Sequence, residues 1–98
     1  MGNIKIDVNK LGIDSLSMSG HKFYGPKGIG ASYINENIPF MRLQDGGHQE
    51  KDKRAGTENV PLIVGLGKAI TLACENIPVK CEKLAKLRDR LISLIETN

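Results

Sequence analysis

Ninety-eight residues suffice for one modest domain, with 40% hydrophobic and 26% charged residues, an ordinary globular balance that excludes disordered, collagen-like and fibrous classes. A formal net charge of +3 is too mild for a typical nucleic-acid binder. There is no apolar run of about 18 residues and no secretory leader pattern, so a cytoplasmic protein with neither nucleic acid nor membrane as partner is expected.

In chain order, Ile4, Ile6 and Val8 alternate with Lys5, Asp7 and Asn9, a period-two pattern that predicts a short strand or extended entry segment. NKLGID breaks it. Leu16 to Ser19 and Ile29 to Ile34 predict two further strands, joined by the glycine-rich connector HKFYGPKG. Within that connector Gly25-Pro26-Lys27-Gly28 reads as a tight turn with Lys27 exposed at its tip. Asn35 to Gly56 is polar, carries Pro39 and Gly46-Gly47, and predicts a long loop around one short extended piece. Asn59 is a good helix N-cap and Pro61 fits the first turn, with Leu62, Leu66, Ala69, Ile70 and Ala73 at helical spacing behind them. Pro78 starts a second helix or kinks a longer one. Leu84, Leu87, Leu91, Leu94 and Ile95 make its apolar stripe, and Lys80, Lys83, Lys86, Arg88 and Arg90 read as its solvated face. The fold class is α/β: about three short strands, then two C-terminal helices, a set marginal as a free-standing domain.

Several residues invite chemistry. Lys22, between a strand and a glycine-rich turn, suits a Schiff-base nucleophile, and reads equally as a solvated lysine. Ser19, Gly20 and His21 supply a hydroxyl, a backbone N–H and an imidazole fit to hold a phosphate, a set that plain turns also contain. GPKGIG is neither a dinucleotide fingerprint nor a P-loop, since a strand follows it rather than a helix. Arg54-Ala55-Gly56-Thr57 precedes the first helix and could face an anion there, or simply lead into a cap made by Thr57 or Asn59. His48 and His21 are too far apart in sequence to suggest a metal, so none is expected. Lys51, Lys53 and Arg54 are diluted by Glu50 and Asp52, and no stacking aromatic accompanies them. Cys74 and Cys81 fit neither a disulfide framework nor a zinc site and read as reduced thiols.

The segments SMSGHKFYGPKGIGASYI and DGGHQEKDKRAGTENVPLIVGLGKAI together resemble the cysteine desulfurases of the class V aminotransferase group, pyridoxal-phosphate enzymes of fold type I. The resemblance runs from Ile4 to at least Ala73, with looser similarity through LRDRLI. It implies that Lys22 bonds the aldehyde of pyridoxal 5'-phosphate and shuttles a proton at the carbon of the substrate L-cysteine. It implies that Ser19 and His21, with Gly20 between them, hold the cofactor phosphate, and that Thr57 reaches the phosphate bound in the other subunit of a homodimer. In the family a cysteine on a mobile loop then takes the substrate sulfur as a persulfide, leaving alanine, and the resemblance implies a sulfur-acceptor scaffold protein as a partner, in iron–sulfur cluster assembly or another sulfur pathway.

The same resemblance makes this chain a fragment. Residues 1–57 correspond to the strands, lysine hairpin and loop of the large domain, and residues 58–98 to helices leading towards the small one. The aspartate that pairs with the cofactor ring falls ahead of Met1, and the persulfide cysteine and the substrate-carboxylate arginine fall beyond Asn98. Neither Cys74 nor Cys81 corresponds to that cysteine. Where the family commonly reads GGGQE, this chain reads Gly46-Gly47-His48-Gln49-Glu50. An inactive desulfurase fragment is therefore expected, the alternative being a non-enzymatic remnant or half of a split enzyme that docks on a desulfurase subunit.

Overall fold

The computed structural model describes residues 2–97. Two antiparallel strands, β1 (Ser15–Ser19) and β2 (Gly30–Ile34), pair in the register Ser15 opposite Ile34 through Ser19 opposite Gly30. Leu16 faces Tyr33 and Met18 faces Ala31, so the alternation puts these four half-buried side chains on one face of the ribbon. At the end closed by the connector Gly30 is obligatory, because a Cβ there would sit 2.7 Å from the Met18 carbonyl oxygen.

A 3₁₀ turn, Gly20–Phe23, continues directly from β1. It packs against α1 (Val60–Glu75), which starts where Asn59 Oδ1 accepts the Leu62 N–H at 3.3 Å and Pro61 occupies the first turn. Phe23, Ala55 and Leu66 are the buried apolar residues among those described, and the core is the contact between the turn and α1. Two glycines let backbones meet there. A Cβ at Gly25 would lie 2.9 Å from Gly20 O and 3.2 Å from Ala69 Cβ, and one at Gly65 would lie 2.7 Å from Pro26 Cγ.

The second helix, α2 (Ile77–Glu96), leaves α1 at 66° after Asn76, with Pro78 in its first turn, and has no buried residue. Its stripe of Leu84, Leu87, Leu91, Leu94 and Ile95 faces outward, each residue about half to two-thirds exposed. No single helix is long and apolar enough to cross a membrane among the described residues. The consequence is an extended shape, with a radius of gyration of 18.1 Å, where a compact chain of this length would have about 13 Å. Likewise the accessible surface of 8053 Å² exceeds the roughly 5,500 Å² of a compact protein of this mass.

One sequence expectation changes. Ile4 to Val8 forms no strand: Ile4 is exposed, and Asp7 instead opens a turn, its Oδ1 accepting the Lys10 N–H (3.1 Å) and its carbonyl the Leu11 N–H (3.0 Å). Alternation had no neighbouring strand to pair with, and the Asp7 side chain satisfied the backbone locally. Asn35 to Gly56 is a loop as expected, and with Ile4 to Val8 unpaired the sheet among the described residues has two strands rather than three.

Candidate cofactor site

The 3₁₀ turn decides which side chains are presented. Its three-residue period eclipses Gly20 and Phe23, and both are buried, whereas His21 and Lys22 between them are exposed. The turn is fastened to the ribbon by the Gly20 N–H, which donates to Ile29 O at 2.9 Å, and closed by the Gly25 N–H donating to Gly20 O at 2.9 Å. The Gly20 N–H expected to face a phosphate is thus already engaged. Gly20 serves by its size instead, since a Cβ would lie 2.9 Å from Pro26 O and 3.0 Å from Ile29 Cγ2.

Ser19 ends β1 and does not cap the turn with its side chain. Ser19, His21 and Lys22 are exposed, and none of the three makes a side-chain hydrogen bond or ion pair among the described residues. A hydroxyl, an imidazole and a primary amine on consecutive outward positions are a donor set that fits a phosphate monoester beside an aldehyde. Lys27 is exposed in the turn at Lys27-Gly28, where Gly28 takes a φ of +84°.

Thr57 is exposed in the segment ahead of α1, and no hydrogen bond or ion pair links it to the Ser19–Lys22 turn among the described residues. Capping of α1 falls to Asn59. The loop before Thr57 is organised around Asp52, which meets the His48 Nδ1 and lies 3.6 Å from Arg42 Nη1, while Arg42 Nε donates to Asp45 at 3.1 Å. Glu50, Lys51 and Asp52 are consecutive left-handed residues with φ of 50°, 55° and 64°. Gln49 Oε1 accepts the Gly56 N–H at 3.1 Å, and Ala55 is buried against Gly46, so the loop is folded upon itself. This clasp leaves no trace in the sequence pattern, because no periodicity marks side chains that close a loop.

Lys80 departs from the solvated face predicted for it. Half-buried on α2, its Nζ sits 5.1 Å from the Tyr24 ring centroid and 3.4 Å from the Gly2 carbonyl. Next to it, Cys81 Sγ donates to Asn3 O at 2.8 Å. Lys86 pairs with Glu82 and Arg88 with Asp89 at the exposed surface, as a solvated face should.

A two-stranded ribbon whose connecting turn presents a lysine, backed by a helix, is an α/β arrangement. The aminotransferase class-V family profile matches residues 1–97, and the chain belongs to that family. It is 58% identical over 96 residues to the cysteine desulfurase IscS of Clostridium botulinum, covering 98% of this chain and 24% of that protein. Among solved structures, a NifS-like protein superposes with a TM-score of 0.92 at 42% identity, over 98% of this chain and 26% of the other. SspA, solved in complex with cysteine, superposes with a TM-score of 0.64 at 54% identity, over 67% of this chain and 20% of its own. The chain therefore spans about a quarter of the length of the relatives it matches.

Proposed function

We propose that this chain is the lysine-bearing cofactor segment of a cysteine desulfurase acting on L-cysteine, with Lys22 as its catalytic residue. Bound at this turn, pyridoxal 5'-phosphate would supply an electron sink for carbanion charge on the substrate. Lys22 would hold the cofactor through its aldehyde, and its amine would move a proton at the substrate α-carbon. Ser19 and His21 hold the phosphate with O–H and N–H donors, and Gly20 keeps the turn tight enough for both to face it. Thr57 serves the phosphate of a second subunit in a homodimer. Residues 1–57 belong to the large domain and 58–98 lead towards the small one. The setting is the cytoplasm, where sulfur passes to a scaffold protein for iron–sulfur cluster assembly.

The observation that carries this reading is the outward pair His21 and Lys22, unpartnered among the described residues, on a turn whose Gly20 and Phe23 are locked inward. Incubation with pyridoxal phosphate, borohydride reduction and peptide mass mapping test it. Modification is expected at Lys22, unaffected by Lys27→Ala. Equal labelling of Lys22, Lys27 and Lys51 would refute a formed site. Sulfide and alanine release from L-cysteine should not exceed that of free cofactor, because the ring carboxylate and the sulfur-accepting cysteine expected from the resemblance are not among these residues.

The outward leucine stripe of α2 favours a second reading, a remnant or split-enzyme half that docks on a desulfurase subunit. Co-purification with such a subunit, without specific labelling of Lys22, would favour it over the first.

A further inference from the structure

The turn that carries Lys22 ends in an unfavourable conformation. Tyr24 closes it with φ 66° and ψ 18°, the left-handed region that residues with a Cβ seldom occupy, and its N–H donates to Gly20 O. Burial does not hold the Tyr24 side chain there, since the residue is 88% exposed. What meets the ring is Lys80, whose ammonium lies 5.1 Å from its centroid, inside the cation–π range of about 6 Å. The same ammonium donates to Gly2 O at 3.4 Å, and Gly2 is itself buried against the turn, where a Cβ would lie 3.3 Å from Phe23 Cβ. Cys81, donating to Asn3 O, anchors the adjoining residue of the N-terminal segment to the same stretch of α2.

We propose that Lys80 is a positioning residue: with Tyr24 and Gly2 it forms a clamp by which α2 fixes the end of the turn that presents Lys22. If Tyr24 leaves the left-handed region, the bonds converging on Gly20 O are lost, and the backbone carrying Lys22 loses its fixed direction. That Lys22 holds a cofactor rests on the function proposed above; the clamp itself does not.

Backbone amide exchange in the 98-residue chain reads the clamp without any cofactor. Lys80→Met should speed exchange at Tyr24 and Gly25 by about two- to five-fold, with helix content retained, and Lys80→Arg should restore protection. Tyr24→Gly occupies the left-handed region freely, so adding Lys80→Met to it should change exchange no further. The Lys80 side-chain protons nearest Nζ should resonate upfield and lose that shift in Tyr24→Leu. Borohydride-trapped pyridoxal phosphate at Lys22 should fall by a similar two- to five-fold in Lys80→Met. Unchanged exchange at both amides in Lys80→Met, or an equal effect of Lys80→Met on the Tyr24→Gly background, would overturn the clamp. Failure of the unsubstituted chain to trap cofactor at Lys22 would instead overturn the proposed function, leaving the exchange result to judge the clamp.

Discussion

The two ends of the molecule are built on opposite terms. At the turn and α1, glycines bring backbones into contact: Gly20, Gly25 and Gly65 each stand where a Cβ would collide, and Phe23 and Leu66 are buried beside them. Along α2 nothing is buried, yet its sequence carries the more regular apolar stripe. Pattern strength is thus no guide to how firmly a segment is held within this chain. What is tightly specified is the part that presents Lys22, and what is left open is the apolar face of α2.

Truncating one apolar residue at each end exposes this contrast most sharply. Phe23→Ala removes the most deeply buried side chain and should cost about 3–4 kcal/mol, enough to unfold a marginal chain. Leu87→Ala removes a side chain already more than half exposed and should change stability by no more than about 0.5 kcal/mol. Denaturant midpoints for the two variants decide it. Equal costs would mean that the leucine stripe is covered in solution.

Glycine contacts supply the next test. Gly20→Ala places a Cβ 2.9 Å from the Pro26 carbonyl oxygen and 3.1 Å from that of Ile29. Backbone cannot rotate away as a side chain can, so a loss of about 2–3 kcal/mol is expected. Amide exchange at Gly20, whose N–H holds the turn to Ile29, should rise accordingly.

These contrasts also define what could be read from the sequence. β1 and β2 followed from short apolar runs on either side of the glycine-rich connector, α1 from Asn59 with Pro61, and α2 from the leucine spacing, because each pattern reports a local preference that the fold left in place. Ile4 to Val8 misled because alternation predicts a strand only where a partner strand exists, and Asp7 offered the backbone a turn. The candidate site was legible as a contiguous run, Ser19 to Lys22, within a motif. Lys80 was not, since its meeting with Tyr24 depends on the 66° bend between the helices, which composition does not encode. The Asp52 clasp was hidden for a similar reason. Three successive left-handed residues follow from closure of the loop, not from any preference of Glu50, Lys51 or Asp52.

Within α1 a pair of glycines gives effects of opposite sign. Gly67 has open space around it, so Gly67→Ala should gain about 0.5–1 kcal/mol from helix propensity alone. Gly65→Ala gains the same propensity, but its methyl would lie 2.7 Å from Pro26 Cγ, a ring that cannot swing aside. The overpacking cost of about 1–3 kcal/mol should win, lowering the midpoint where Gly67→Ala raises it. A gain in both variants would show that Pro26 does not rest on α1.

The smallest effect belongs to the loop. Lys51 holds a φ of 55°, is exposed and makes no side-chain hydrogen bond or ion pair among the described residues, so Lys51→Gly removes backbone strain and no contact. Relief of about 1–2 kcal/mol is offset by the greater freedom glycine gains when unfolded, leaving a net gain of about 0.5 kcal/mol. Asp52→Gly relieves similar strain but gives up the contacts to His48 and Arg42, and should gain less. Slower proteolysis of the loop in Lys51→Gly than in Asp52→Gly is the expected order. The reverse order would mean that the Asp52 contacts do not hold the segment that leads to Thr57.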